Sequence, residues 1–276
     1  MNESLILQCP AKLNLTLEVL SKQSNGMHEI ESHFQLINLF DRLTIQKTEN
    51  QFTSVKTNAL VDIDNENNIA YMAIEALSRL MNQDIYCDIF IDKNIPMGGG
   101  LGGGSSNAAA VLIGINELFA LNLSIAELIR IGKKIGADVP FFIFGRNALA
   151  KGIGDKLEEV KCESEKFLVI SPNIHISTKD MFLKWDSLNE QMLLSSPRKN
   201  ENSFLEIFLQ QQPEVKKIYK ELSEICPMRL SGTGSTFFCT YNNEMEIEKT
   251  LKKIPTKWRH FFCEPLQCSP LLKYIK

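Results

Sequence analysis

The sequence predicts an α+β fold built from two successive domains. Residues 87–119 form a strand, a glycine-rich loop and a long helix in succession, and strand-like and helix-like segments alternate after residue 166. Such alternation is typical of sheets that pack against helices, and a chain of 276 residues is long enough for two domains. The charged stretch at 155–166 indicates a surface connection, so we place the domains at 1–158 and 159–276.

Composition and charge exclude several classes of protein. Hydrophobic residues make up 44% and charged residues 23% of the chain, which is typical of a soluble globular enzyme. The formal net charge of −3 argues against nucleic-acid binding. We find no charged-then-apolar leader and no apolar run of about 18 residues, so we expect neither a signal peptide nor a membrane span. The 7 cysteines include no CxxC pair, which indicates reduced thiols in a cytoplasmic protein without a resident metal site.

Several segments of the first half show the alternation of apolar and polar residues that strands produce. A strand at residues 5–19 carries Lys12 and Asn14 on one polar face, which fits either an edge strand exposed to water or a site. The Asn25-Gly26 pair then predicts a turn. Further strands are predicted at residues 28–37, 41–45, 87–91, 141–144 and 148–151, whereas residues 46–67 are polar and poorly patterned.

Helices are predicted where apolar residues recur every three or four positions. Asn68 precedes one such helix, and a capping box of Ser124 and Glu127 begins another, which ends at Gly136. Pro213 occupies the first position of a helix, where proline is favoured. In the second half we expect strands at residues 167–170, 237–238 and 260–263, helices that begin near residues 177, 213 and 244, and a loop at 191–202.

The most unusual stretch is residues 96–107, PMGGGLGGGSSN, which holds six glycines. Glycine allows the backbone to approach a ligand closely and to adopt positive φ. The stretch leads into a helix whose first turn includes Ser105 and Ser106, and the free amides at a helix N-terminus bind anions. We therefore predict a loop that binds a chain of phosphates.

Two familiar phosphate loops fit this stretch poorly. A Walker loop ends in Gly-Lys-Ser/Thr, and no lysine lies between Met97 and Asn107. Gly98, Gly100 and Gly103 match the dinucleotide fingerprint, but the acidic residue that should follow a second strand is absent. A flexible linker is equally disfavoured, because a strand and a long apolar-faced helix flank the glycines closely.

Two other stretches hold candidate site residues. Asp138 lies within GADVPFF, residues 136–142, after a helix end and before an apolar segment. An unpaired charge is costly to bury there, although an aspartate that caps a turn fits the local pattern equally well. A second loop of glycine and serine at 230–236 contains Thr233 and Gly234 and precedes a strand.

Together these stretches resemble the three motifs of the GHMP kinases, the superfamily of galactokinase and of homoserine, mevalonate and phosphomevalonate kinases. The three motifs are matched by residues 9–14, 96–107 and 230–235. The segments AKLNL, NGMH and GADVPFF, which begin at residues 11, 25 and 136, are similar to members whose alcohol substrate carries a cytidine diphosphate group. Those members have Asp-Gly-Tyr-His where this chain has NGMH, so Met27 stands in place of an aromatic face for cytosine.

This resemblance implies a fold and a reaction. The N-terminal half would resemble the second domain of ribosomal protein S5, and the C-terminal half would be a ferredoxin-like α+β domain. ATP, with Mg²⁺, would donate its γ-phosphoryl group to a hydroxyl of a small cytidyl diphosphate substrate, in the non-mevalonate route to isoprenoids. We expect a cytoplasmic enzyme without nucleic-acid or membrane partners, as a monomer or a weak homodimer.

The resemblance also implies roles for individual residues. Asp138 would accept the proton of the attacking hydroxyl while Lys12 keeps Asp138 ionised. His28 would hydrogen-bond the cytosine edge. Besides Asp138 and His28, the residues expected to bind the substrate are Asn14, Met27, Thr178, Phe182, Thr233 and Gly234. Those expected to bind ATP are Asn68, Lys93, Pro96, Met97, Gly98, Gly99, Gly100, Leu101, Gly102, Gly103, Gly104, Ser105 and Ser106, with the two serines near phosphate or Mg²⁺.

Two alternatives remain open at this point. A GHMP kinase with a different substrate, such as a phosphorylated or amino-acid alcohol, would share the loops and differ at the NGMH turn and Phe182. A non-catalytic nucleotide-binding module would share only the phosphate loop. Lys12 and Asp138 favour an enzyme, because a protein that only binds nucleotide needs neither residue.

Overall fold

The computed structural model describes residues 3–58, 68–190 and 202–275. The strands are β1 (Ser4–Lys22), β2 (His28–Lys47), β3 (Ser54–Thr57), β4 (Cys87–Asp92), β5 (Ala148–Lys151), β6 (Lys156–Glu159), β7 (Lys166–Ser171), β8 (Arg229–Leu230), β9 (Phe237–Tyr241) and β10 (Arg259–Cys263). The helices are α1 (Ile69–Met81), α2 (Gly103–Leu118), α3 (Ile125–Ile135), α4 (Val139–Phe144), α5 (Thr178–Glu190), α6 (Leu205–Gln211), α7 (Pro213–Ser223), α8 (Glu244–Leu251) and a final 3₁₀ helix (Pro270–Tyr274). This mixture confirms the α+β class. Within the described ranges no helix is long and apolar enough to cross a membrane.

The first sheet is organised around a long antiparallel hairpin of β1 and β2. Their pairing runs from Ser4 opposite Gln46 to Lys22 opposite His28. On its other side, β2 pairs with β4 and with β5, and the sheet continues to β3 and β6 at its edges. Helices α1 to α4 cover one face, where apolar side chains of the sheet and the helices form one core.

Local signals set the ends of the helices in this half. The side chain of Asn68 accepts a hydrogen bond from the backbone of Ala70 at 3.0 Å, and this cap begins α1. Ser124 and Glu127 form the predicted capping box at the start of α3. These caps satisfy backbone amides that have no acceptor within the helix, so both starts could be predicted from a few residues.

The second sheet has the strand order β10-β7-β9-β8 and is entirely antiparallel. Its apolar residues pack with α5, α6 and α7 in a second core. Leu17 and Val19 of β1 belong to this core, and the backbone amide of Ser203 donates to the Leu17 carbonyl at 2.9 Å. The β1–β2 hairpin therefore contacts both halves of the molecule.

The apolar stretch at 141–144 corrects a sequence prediction. We predicted a strand there, and the structure shows the short helix α4 with Pro140 in its first turn. A fully buried run shows no alternation, so its sequence does not distinguish a strand from a helix. The change matters for the site, because Asp138 now lies at the N-terminus of a helix.

Other predictions for the second half agree with the structure where it is described. Helix α6 and the final 3₁₀ helix were not predicted. The loop prediction for 191–202 lies outside the described residues except at Asn202, whose side-chain amide donates to the carbonyls of Leu230 and Gly232.

The division of the chain at residue 158 stays a prediction. The first sheet ends with β6 at Glu159 and the second begins with β7 at Lys166. The segment after β10 returns to the first half, where Leu266 donates its backbone amide to Leu36 at 2.9 Å and Leu271 enters the first core. A single domain boundary at residue 158 does not account for this C-terminal segment, which packs against the first half.

Candidate active site

A large cavity of about 1170 Å³ is lined by residues from both halves of the chain. The glycine-rich loop, the middle of β1, the turn before β2, the start of α5 and the loop between β8 and β9 all contribute to its wall. The predicted site residues that line it are Lys12, Asn14, Met27, His28, Asn68, Lys93, Pro96, Met97, Gly98, Gly99, Gly100, Leu101, Gly102, Gly103, Gly104, Ser105, Asp138, Thr178, Phe182, Thr233 and Gly234. Ser106 is the one predicted residue that does not.

The glycine-rich loop packs tightly against the loop between β8 and β9. Gly100 has φ of +78°, and a Cβ built on it would lie 2.2 Å from the carbonyl oxygen of Ser231. The Ser231 hydroxyl donates to the Gly100 carbonyl at 3.0 Å, and the Thr236 amide donates to the Gly99 carbonyl at 3.2 Å. Only glycine allows this approach at position 100, which explains why the loop cannot carry side chains there.

The loop ends at the N-terminus of α2, which lines the cavity. Gly102 is the N-cap residue and provides no side-chain cap, so the first amides of the helix have no acceptor within it. Such a terminus, with the positive end of the helix dipole, favours an anion. Ser105 lines the cavity here, whereas Ser106 is fully buried and its hydroxyl has no hydrogen-bond partner among the described residues.

A buried polar cluster holds Lys93 beside this helix terminus. The Lys93 ammonium donates to the carboxylate of Asp41 and, at 2.8 Å, to the side-chain oxygen of Asn107. Asp41 also accepts hydrogen bonds from the backbone amides of Asn94 and Ile95 at 2.7 and 2.9 Å. The cluster fixes the Lys93 ammonium, paired with Asp41, near the point where the loop enters α2, since a Cβ on Gly103 would lie 3.4 Å from Lys93 Nζ.

Lys12 and Asp138 meet in the same cavity. Lys12 Nζ lies 3.5 Å from Asp138 Oδ2, with the lysine side chain 4% exposed and the aspartate side chain 31% exposed. Lys12 also donates to the Asn14 side-chain oxygen, and the side-chain amide nitrogen of Asn14 donates to the Ser32 hydroxyl at 2.8 Å. Hydrogen bonds through Asn14 and Ser32 thus hold the Lys12 side chain in place, while the Asp138 carboxylate stays partly exposed in the cavity. Both predicted residues line the cavity, and their catalytic roles stay predictions.

Aromatic and charged residues form another region of the cavity wall. The rings of His28 and Phe182 stack with centroids 4.5 Å apart. Met27 is 44% exposed beside them. The hydroxyls of Thr178 and Thr233 lie 3.3 Å apart, which links the start of α5 to the loop before β9. This region offers ring faces and hydroxyls to a ligand, with the Lys22 ammonium at its rim.

Sequence reasoning missed Asp41, Asn107 and Asp186 as supporting residues. Asp186 lies one helical turn after Phe182 on α5, so the i, i+4 spacing places both side chains on one face. This spacing is the sequence signal from which Asp186 could have been predicted beside Phe182. Asp41 and Lys93 are 52 residues apart in sequence, and no local pattern indicates their contact.

Comparisons with known proteins agree with this architecture. The family model described as "GHMP kinases N terminal domain" matches residues 68–146, which include the glycine-rich loop and Asp138. The crystal structure of a 4-(cytidine 5'-diphospho)-2C-methyl-D-erythritol kinase aligns with a TM-score of 0.74 at 24% identity, over 94% of this chain and 98% of that one. A homoserine kinase from Cytophaga hutchinsonii aligns with a TM-score of 0.70 at 14% identity, over 97% and 96% of the two chains. The fold is thus that of the GHMP kinases, a class that uses ATP as co-substrate.

Similarity to curated relatives identifies one family within this class. A 4-diphosphocytidyl-2-C-methyl-D-erythritol kinase of Marinomonas sp. is 34% identical over 269 residues, covering 96% of this chain and 88% of the relative. An enzyme of the same name from Shewanella piezotolerans is 36% identical over 269 residues, covering 95% and 94%. The chain belongs to the 4-diphosphocytidyl-2-C-methyl-D-erythritol kinase family.

Proposed function

We propose that the protein transfers the γ-phosphoryl group of ATP to the 2-hydroxyl of 4-diphosphocytidyl-2-C-methyl-D-erythritol, giving the 2-phosphate and ADP in the non-mevalonate route to isoprenoids. The observation that carries this proposal is the position of the Lys12–Asp138 pair in the cavity that the glycine-rich loop lines. Phosphoryl transfer depends mainly on positioning and on stabilising charge, and this pair supplies both beside a phosphate site.

The loop and the N-terminus of α2 would hold the phosphates of ATP. The free amides of the first helical turn would donate hydrogen bonds to phosphate oxygens, and the Lys93 ammonium, held by Asp41, lies near Gly103 as a further donor. Asn68 caps α1 through its side-chain oxygen and borders the cavity, where it would lie beside the nucleotide. Ser106 would act through the packing of the helix, because it is enclosed in the core.

Mg²⁺ would enter with ATP rather than occupy a site of its own. The described residues contain no group of three or more histidine, cysteine, aspartate or glutamate side chains that could hold a metal ion. The Asp138 carboxylate and the Ser105 hydroxyl are oxygen donors at the phosphate end of the cavity, and Mg²⁺ prefers oxygen ligands of this kind together with phosphates. The ion would neutralise charge on the β- and γ-phosphates.

Asp138 and Lys12 would act on the attacking hydroxyl as one unit. The open side of the Asp138 carboxylate accepts the hydroxyl proton, and the hydroxyl oxygen then attacks the γ-phosphorus while ADP leaves. Lys12 compensates the negative charge that develops beside the carboxylate, and Asn14 keeps the lysine oriented toward it.

The aromatic region would receive the cytidine end of the substrate. His28 can hydrogen-bond a base edge, and Phe182 and Met27 offer apolar contact surface. Thr233 and Gly234, with Thr178 beside Thr233, would close the site over the transferred phosphate. We further propose that the enzyme works in the cytoplasm as a monomer or weak homodimer, without nucleic-acid or membrane partners. Its cysteines are all thiols in the structure, which suits a reducing compartment.

The test is a measurement of ADP release with ATP, Mg²⁺ and one alcohol at a time. The alcohols are 4-diphosphocytidyl-2-C-methyl-D-erythritol, mevalonate and homoserine. We expect rapid turnover with the cytidyl substrate alone. Turnover with one of the other alcohols instead would keep the kinase and change its substrate, and ATP binding without turnover of any alcohol would indicate a non-catalytic nucleotide-binding protein.

A further inference from the structure

Asp186 lies at the aromatic region of the cavity with both carboxylate oxygens engaged. His28 Nε2 lies 2.6 Å from Asp186 Oδ1, and Lys22 Nζ donates to Asp186 Oδ2 at 2.7 Å. The side chains of His28 and Asp186 are only 8% and 10% exposed, whereas Lys22 is 46% exposed at the rim. A carboxylate is thus enclosed between a ring nitrogen and an ammonium group.

This arrangement determines which nitrogen of His28 carries a proton. Burial raises the pKa of Asp186, but hydrogen bonds from His28 and Lys22 outweigh burial and hold that pKa below its ordinary value. An ionised carboxylate can only accept hydrogen bonds, so His28 Nε2 must be the N–H donor. When the ring is neutral, Nδ1 is therefore left with a lone pair.

The free nitrogen is also fixed in direction. The His28 ring stacks on Phe182 and meets Trp185 edge to face at 5.7 Å, so packing on two sides restricts its rotation. Nδ1 has no hydrogen-bond partner among the described residues, and it is not one of the fully enclosed atoms that lack a partner. A hydrogen-bond acceptor on a clamped ring is thereby available to a ligand in the cavity that His28 lines.

We propose that Asp186 is a positioning residue that sets base specificity by holding the neutral His28 ring in its Nε2–H form. Nδ1 then accepts a hydrogen bond from the amino group of cytosine, and it cannot pair with the carbonyl that uracil presents at the same position. This inference deepens the proposed function and rests on it for the assignment of this region to the base. The discrimination follows from a buried polar group that is left unpaired with the wrong ligand.

The test combines a spectroscopic readout with binding of two probes, cytidine 5'-diphosphate and uridine 5'-diphosphate. The variants are Asp186→Ala and the nearly isosteric Asp186→Asn, which keeps the shape if the alanine variant fails to fold. Asp180→Asn is the matched control, because Asp180 is an exposed aspartate on the same helix that does not line the cavity. The ¹⁵N signals of His28 are assigned by comparison with His28→Gln.

In the wild type and the control at pH 8, we expect a protonated Nε2 and an unprotonated Nδ1, with tighter binding of the cytidine probe. In Asp186→Ala the two tautomers should mix. In Asp186→Asn the Lys22 ammonium takes the amide oxygen and leaves an amide N–H facing His28 Nε2, which favours the Nδ1–H form. In both variants the preference for cytidine should fall by about tenfold or more. With the full substrate, KM should rise while kcat changes little. An unchanged tautomer and preference in Asp186→Asn, or a wild type without preference, would overturn the proposal. A wild type that prefers cytidine but turns over none of the cytidyl alcohol would refute the proposed function and leave this inference standing.

Discussion

Lys12 and Asp138 illustrate how much of the chemistry depends on single side chains. The almost fully enclosed side chain of Lys12 lies beside a carboxylate that is about one-third exposed, and hydrogen bonds through Asn14 and Ser32 hold the lysine in place. Desolvation strengthens the attraction between such groups relative to water. The pair therefore has a fixed geometry before the substrate arrives.

We expect Asp138→Asn to lower kcat by a factor of about 10² to 10⁴, because the variant keeps the shape of the side chain and loses the proton acceptor. The affinity for ATP should change little. Lys12→Met should cause a loss of similar size, and the double variant should be barely worse than either single one, since the two residues act as a unit. Rates of steady-state ADP release by the two single variants and the double variant measure these losses.

Lys151→Met is the control for that experiment, because Lys151 and Glu31 form an ion pair on the surface at 3.7 Å with both side chains about half exposed. It should leave kcat unchanged. Multiplicative losses in the Lys12 and Asp138 double variant would show that the two residues contribute independently.

Met27 lies in the aromatic region of the cavity wall. It is 44% exposed and lines the cavity, so a larger ring has space to enter. Met27→Tyr should lower KM for the cytidyl substrate by about two- to tenfold through stacking on the base, with kcat nearly unchanged. Exposed Met245→Tyr is the control. A higher KM in Met27→Tyr would indicate that the base does not lie against this position.

At the scale of elements, the glycine-rich loop and the loop between β8 and β9 form one closely packed unit. Gly100→Ala should separate them, because its Cβ would lie 2.2 Å from a backbone oxygen and its φ of +78° is unfavourable for alanine. The left-handed conformation alone costs about 1–2 kcal/mol. We expect a lower melting temperature and weaker ATP binding, measured by calorimetry.

Gly104→Ala provides the matched comparison within the same glycine-rich stretch. Its Cβ would meet only Ile69 at 3.6 Å, an ordinary contact, and Gly104 already lies within α2. The nucleotide-free variant should be as stable as the wild type, or more stable by about 0.4–1 kcal/mol. Equal destabilisation by both substitutions would contradict the close approach at Gly100.

Elements with local signals could be predicted from the sequence, and those that depend on distant contacts could not. Asn68 and Ser124 cap helices through neighbours two or three residues away, so their patterns were sufficient. Helix α4 was predicted as a strand because a wholly buried apolar run has no polar face to show its period. Likewise, motif positions placed Lys12 and Asp138, whereas the contact of His28 with Asp186 spans 158 residues and needs the fold.

At the scale of the whole molecule, the β1–β2 hairpin joins the two cores, and His33 lies on it. His33 Nε2 is buried without a hydrogen-bond partner among the described residues. Burial lowers the pKa of His33 below its ordinary value of 6.5, and Arg229 adds to the effect against the opposite influence of Glu163. The unfolded chain therefore binds a proton at this position more readily than the folded one.

The lowered pKa of His33 sets the direction in which the stability of the protein changes with pH. Below a pH of about 6.5 the unfolded state takes up more protons, so the free energy of unfolding should fall as the pH drops from 7.5 to 5.5. His33→Gln should reduce this fall, and His260→Gln, at an exposed position on β10, should not. Urea unfolding at each pH measures the difference. A wild type whose free energy of unfolding increases as the pH drops from 7.5 to 5.5 would contradict this prediction.

The ³¹P NMR spectrum of a reaction with ATP, Mg²⁺ and 4-diphosphocytidyl-2-C-methyl-D-erythritol tests directly whether the phosphoryl group is transferred to the alcohol. We predict a new phosphomonoester signal that grows in proportion to ADP while the diphosphate signals of the substrate persist. Formation of ADP with inorganic phosphate alone, or loss of the substrate's diphosphate signals, would contradict the transfer of a phosphoryl group to the alcohol.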